Sequence, residues 1–162
     1  MTLSADRLTM LVGAMENDRL MFLCGAGLSV SSPSFLPTAP AVAKICFDKR
    51  APVETLDPKL EWDIDNLAGF FHARGDFIDT FIPLVPWNDL AGAPNRGHAA
   101  IADLLVSRAA RGALSANFDT MIERWAENLK IDMAGALTGQ EAITFEQISR
   151  PLLKFHGCMK RG

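Results

Sequence analysis

The apolar positions of the chain change their rhythm several times, and each change predicts an element. In residues 4–17 (SADRLTMLVGAMEN), Leu8, Leu11, Val12 and Met15 fall on one helical face behind Ser4, a residue suited to cap a helix. Residues 20–24 (LMFLC) are continuously apolar, the pattern of a short strand buried on both faces, and they run into Gly25-Ala26-Gly27-Leu28-Ser29. Pro33, Pro37 and Pro40 make residues 30–40 a loop, and Ala41–Lys49 reads as helix. From Val53 to Pro94 the apolar residues, phenylalanines prominent among them, form broken helical patterns around Gly69 and Gly75. This predicts a helical insertion of about residues 53–94.

A second α/β unit follows. Asn95–Arg111 reads as a helix with Ile101, Leu104 and Leu105 inward, stopped by Gly112, and Ala113–Ala116 reads as a short strand ended by Asn117. Phe118, Met121, Ile122, Trp125 and Leu129 keep one apolar stripe along the next helix. A third strand, Leu152–Phe155, leads into His156-Gly157. Strand, helix, strand, helix, strand is the order of a parallel α/β sheet with crossover helices, here in a single domain over residues 1–162. So few strands make an incomplete domain of a longer protein the expectation, and an uncovered sheet edge invites a homo-oligomer.

Composition narrows the function classes. The chain has 162 residues, 49% apolar and 22% charged, with a net charge of -3, which disfavours bulk attraction to nucleic acid or an anionic membrane. Arg108 with Arg111, and Lys154 with Lys160 and Arg161, are local basic groups and not a stripe. No apolar run reaches the ~20 residues of a membrane-spanning helix, and the first residues lack a secretory pattern. The three cysteines, Cys24, Cys46 and Cys158, are widely spaced with no CxxC pair, which predicts buried free thiols, no zinc and a cytoplasmic location.

In a parallel sheet, ligands collect beyond the carboxyl ends of the strands. Three such ends carry polar groups: Gly25–Ser29, Asn117-Phe118-Asp119 and His156-Gly157. The glycines of the first let backbone approach a phosphate closely, although Val30 stands where GxGxxG needs a third glycine and a Walker lysine is missing. Taken alone this is as well read as a tight turn. Asn117 offers a donor and an acceptor for a ribose hydroxyl or a water, and equally could cap the following helix. His156, at a strand end, has the residue type of a general base. His98 is expected to make a structural hydrogen bond at a helix start, and His72 to be peripheral.

Four segments in register, GAGLS, PNRGHAAIADLL, LSANFDTMIE and LLKFHG, resemble the sirtuin superfamily over Leu20 to Gly157. The Asn-Phe-Asp-Thr and Lys-Phe-His-Gly forms are closer to bacterial sirtuin-like NAD hydrolases, many of them antiphage defence proteins, than to protein deacylases. The resemblance implies a Rossmann-like sheet, with NAD as substrate and NAD or ADP-ribose as the bound partner. Gly25, Ala26, Gly27 and Ser29 would hold NAD phosphates and the adjoining ribose. Asn117 and Asp119 would contact the nicotinamide ribose, and His156 would be the catalytic histidine, with Asn117 orienting ribose and water. Where deacylases carry Asp-Phe-Arg, this chain reads Ser34-Phe35-Leu36-Pro37, and it lacks their four-cysteine zinc ribbon. The resemblance therefore implies hydrolysis of NAD to nicotinamide and ADP-ribose. NAD-dependent deacylation or ADP-ribosyl transfer, and nucleotide sensing without catalysis, are the alternatives.

Overall fold

A computed structural model describes residues 3–147 and 149–159. Along the chain run α1 (Ala5–Glu16), β1 (Met21–Cys24), α2 (Ala39–Arg50), α3 (Ile64–Ala73), the short α4 (Ile82–Leu84), α5 (Arg96–Val106), β2 (Gly112–Ser115), α6 (Met121–Asn128), α7 (Gly139–Phe145) and β3 (Leu152–Lys154). The chain divides into two compact units. One is the chain up to Ser34 together with the chain from Ala93 onward; the other is Phe35–Gly92.

The first unit is mixed α/β. Its three strands lie in the order β1-β2-β3, all parallel, with Met21 opposite Gly112 and Leu114 opposite Leu153. The carboxyl ends of all three strands therefore share one edge of the sheet, as the strand-helix alternation predicts. Ala136 extends the ladder beyond β3: its N–H bonds Leu152 O, and Lys154 N–H bonds Ala136 O, each at 2.8 Å. The core comprises Ile101, Ala102 and Leu105 of α5, Ile122 and Ala126 of α6, and Cys24, Ala113 and Leu152 of the strands. Alanines at these contacts let α5 and α6 approach each other and the sheet closely.

Several expectations shift. The β1 strand is covered on one face only: Phe22 and Cys24 pack into the core, but Leu23 is 79% and Met21 52% exposed. Exposure alternates along the strand, so the sheet face that carries Met21 and Leu23 is the uncovered one, and a continuous apolar run does not imply burial on both faces. Ser4 does cap α1, its Oγ accepting the Arg7 N–H, yet Leu8 and Val12 on the apolar stripe are exposed. The α5 helix stops at Val106, and Gly112 opens β2 where a helix stop was predicted. Phe118 precedes α6 and is exposed, because Asp119 starts that helix by accepting the Met121 N–H. The Gly139–Phe145 helix had no counterpart in the pattern reading.

The second unit is helical and overlaps the insertion expected over about 53–94 as far as Gly92; it begins earlier, at Phe35, and includes α2. Asp63 caps α3 by accepting the Asn66 N–H, and Gly75, at φ +80°, supplies the left-handed turn just past that helix. A π turn at Phe77–Phe81 leads into α4. The core is Val42, Cys46, Leu56, Leu67, Phe71 and Phe81, with Phe71 and Phe81 rings 5.7 Å apart and Phe77 stacked on Phe81 at 5.4 Å. Burying a side chain such as Phe71 contributes about 1.5–3 kcal/mol. His72 is exposed on α3, its ring 6.0 Å from that of Phe77. Cys24, Cys46 and Cys158 are buried free thiols. Among the described residues, no helix is long and apolar enough to cross a membrane.

Candidate functional site at the carboxyl edge of the sheet

Chain geometry brings the three strand ends together. Beyond β1, Gly25 is extended and Ala26–Ser29 form a single 3-10 turn closed by Leu28 N–H to Gly25 O at 2.9 Å. Beyond β2, Ala116 N–H bonds Cys24 O at 3.0 Å and Asn117 N–H bonds Ser115 Oγ at 3.1 Å, which fixes the strand end against β1. Asn117 Nδ2 then donates to Gly25 O at 3.1 Å and approaches Ser29 Oγ at 3.4 Å. Beyond β3, Gly157 lies against the Phe118 ring and Met159 N–H bonds Phe118 O at 2.9 Å. The His156-Gly157 turn thus abuts the residue between Asn117 and Asp119.

Beneath the loop is a buried polar network with a fixed proton order. Asn95 N–H donates to His98 Nδ1 at 3.1 Å, while Asn95 Oδ1 accepts the N–H groups of Gly97 and His98 in a reciprocal cap of α5. Because Nδ1 accepts, the neutral ring carries its proton on Nε2, which faces Ser29 Oγ at 3.1 Å. Ser29 must then give its own proton to Asp119 Oδ2, at 2.8 Å. Asp119 Oδ1 accepts the Met121 N–H at 3.1 Å. Burial pushes the His98 pKa below its ordinary 6.5, against the opposing pull of Asp119. Burial, and secondarily Asp119, pushes the Cys24 thiol up.

Ser29 is therefore no nucleophile, since the adjacent imidazole donates to it and does not withdraw its proton. Its hydroxyl and the Asp119 carboxylate are both already engaged within the protein, at 2% and 7% exposure. Gly25, Ala26 and Gly27 are exposed, whereas Asn117 is buried with its amide turned to the loop. A Cβ on Gly25 or Gly27 would meet nothing within 4 Å, and neither residue has a positive φ. Neither internal packing nor backbone conformation calls for glycine at these positions. Gly97 differs: a Cβ there would stand 2.7 Å from Leu28 Cδ1, so it is a close approach of α5 to the loop. An open cleft of about 590 Å³ is lined by Gly27, Leu28, Ser31, Ser32, Arg96 and Gly97 among others. Asn117, Asp119 and His156 do not line it. His156 is exposed, its ring edge-on to Phe155 at 4.6 Å.

Pattern reading missed Asn95, whose side chain amide also donates to Leu28 O at 2.7 Å and so ties the loop to α5. It also missed Lys154 and Glu123, an ion pair at 2.8 Å with side chains 1% and 7% exposed. A signal for Lys154 existed: with period 2 it shares the buried face of Leu152, where a lysine needs an acceptor. Lys160 and Arg161 lie outside the described residues. Among the described residues, no cluster of three or more His, Cys, Asp or Glu side chains is arranged to hold a metal. No model of a known protein family matches the chain, and no curated protein matches it.

Proposed function

We propose that this chain is a sirtuin-like, Rossmann-type NAD-binding domain that hydrolyses NAD to nicotinamide and ADP-ribose. The observation that carries the reading is the Asn117 amide hydrogen-bonded to Gly25 O, beside glycines whose faces are uncovered. A diphosphate can approach such backbone closely. The nicotinamide of NAD is a cationic leaving group, so its bond to ribose breaks without a general acid. The ribose must be held, the developing oxocarbenium ion stabilised, and a water directed to it. Asn117, its Nδ2 holding the loop, orients ribose and water through its side-chain oxygen, and His156, exposed at the neighbouring strand end, takes the proton of the attacking water. Ser29 and Asp119 serve by bracing the loop, because their polar atoms are already bonded within the protein.

The test is nicotinamide release from NAD. His156→Ala is expected to lose about 10²–10⁴-fold in turnover, the usual worth of general-base assistance. Equal rates in wild type and variant would remove His156 from the mechanism. Release that depends on an acyl-lysine peptide would favour deacylation instead. The prior engagement of Ser29 and Asp119 favours a second reading, nucleotide sensing without turnover. Under that reading ADP-ribose raises the melting temperature while NAD stays intact.

A further inference from the structure

A second reactive constellation lies below the carboxyl edge, independent of what the loop binds. Lys154, at the end of β3, and Cys158 are joined by the Phe155–Gly157 turn, in which Gly157 adopts φ +104°. That left-handed residue folds the chain back so that Cys158 Sγ stands 3.7 Å from Lys154 Nζ, both residues 5% exposed or less. The Met159 N–H bond to Phe118 O holds the turn in place. Lys154 Nζ also donates to the Asp119 carbonyl oxygen and lies 2.8 Å from Glu123 Oε1. Glu123 is 6% exposed, and its Oε2 has no hydrogen-bond partner. A buried carboxylate with a vacant oxygen, beside an ammonium that touches a thiol, is a ready proton acceptor for that ammonium. Burial pushes the Glu123 carboxyl up, against the lowering pull of Lys154, which suits it to hold that proton.

We infer that Lys154 and Cys158 are a modification site, closing to a covalent Nζ–Sγ cross-link when the protein meets a peroxide. In the first step Sγ attacks a peroxide oxygen and the O–O bond breaks. Sulfur loses two electrons, and Cys158 sulfenic acid and one water result. The ammonium then passes a proton to Glu123, and the freed amine attacks sulfur. The N–S bond forms, the S–O bond breaks, and hydroxide leaves with a second Nζ proton as water. The sum is one thiol, one amine and one hydrogen peroxide giving one sulfenamide and two waters. The Nζ–Sγ separation needs to close only slightly to reach attack distance. Among the described residues, no lysine amine is hydrogen-bonded to the thiol of Cys24 or Cys46.

The experiment treats the full chain with hydrogen peroxide and reads intact mass, tryptic peptides and free thiols. The expected product has lost two hydrogens, resists trypsin after Lys154, no longer alkylates at Cys158, and reverts with dithiothreitol. Lys154→Arg keeps the cation but should give no link, leaving a dimedone-reactive sulfenic acid at Cys158. Wild-type peptide masses decide the matter even if that variant fails to fold. A dimedone adduct or sulfinic acid at Cys158 of wild type, a link with an added oxygen, or oxidation confined to Cys24 and Cys46 would each overturn the assignment.

Discussion

Two buried polar clusters meet at Asp119, and they hold different parts of it. On the carboxylate side, Ser29, His98, Asn95 and Asn117 tie the glycine loop to α5 and β2 through donors and acceptors in one consistent order. On the carbonyl side, Lys154 is enclosed with Glu123 and Cys158. The first cluster carries one formal charge and stands under glycines that open outward. The second is a buried ion pair packed so closely that even a Cβ on Gly135 would lie 2.8 Å from Lys154 Cδ and 2.9 Å from Glu123 Oε1. The contrast separates glycines and charges that the fold itself requires from those it leaves unexplained. The unexplained ones are where a ligand is to be sought.

The largest effect should follow from breaking the sealed pair. Lys154→Met leaves a buried, uncompensated carboxylate and is expected to cost about 3–5 kcal/mol in denaturant unfolding, whereas adding Glu123→Leu should recover much of it. A double variant no more stable than the single one would refute the ion-pair account. Gly135→Ala comes next, at about 1–3 kcal/mol, because the atoms it meets are pinned by that pair.

The loop-side cluster should instead show itself through pH. Since His98 has a folded pKa below its ordinary 6.5, the unfolded chain takes up the proton first as pH falls. Its contribution to stability is then complete above about pH 6.5 and is lost as pH falls through the lower folded value, with a slope of at most ~1.4 kcal/mol per pH unit for one proton. His98→Gln, a residue that suits this third position of the helix cap and does not titrate, should flatten melting temperature against pH between 7 and 5. An unchanged slope would place the titration elsewhere.

The smallest stability change belongs to Gly25→Ala, expected within about 0.5 kcal/mol because nothing lies within 4 Å of the new methyl. In the proposed reading the same variant loses NAD binding, followed by calorimetry. Should Gly25→Ala destabilise as much as Gly135→Ala, the comparison between open and sealed glycines collapses.

Much of this was legible along the chain. Apolar rhythm alone placed α1, β1, α2, α5, β2 and β3 to within a few residues and made the sheet parallel, because periodicity reflects which side of an element is buried. That ordering also brought Gly25, Asn117 and His156 to one edge, since parallel strands share their carboxyl side. The bareness of Leu23 was not legible, because a run of apolar residues does not say whether both faces of its strand are covered. Nor was the engagement of Ser29 with His98 and Asp119. Its partners lie 69 and 90 positions away, and only the folded chain decides that a hydroxyl's lone pairs and proton are already taken. The same holds for Lys154, Glu123 and Cys158. Sequence determined which chemical groups the chain carries and on which face of each element they sit. Tertiary structure decided which of them are consumed by one another and which remain open, because hydrogen bonds and burial depend on distances between segments that sequence separation does not encode.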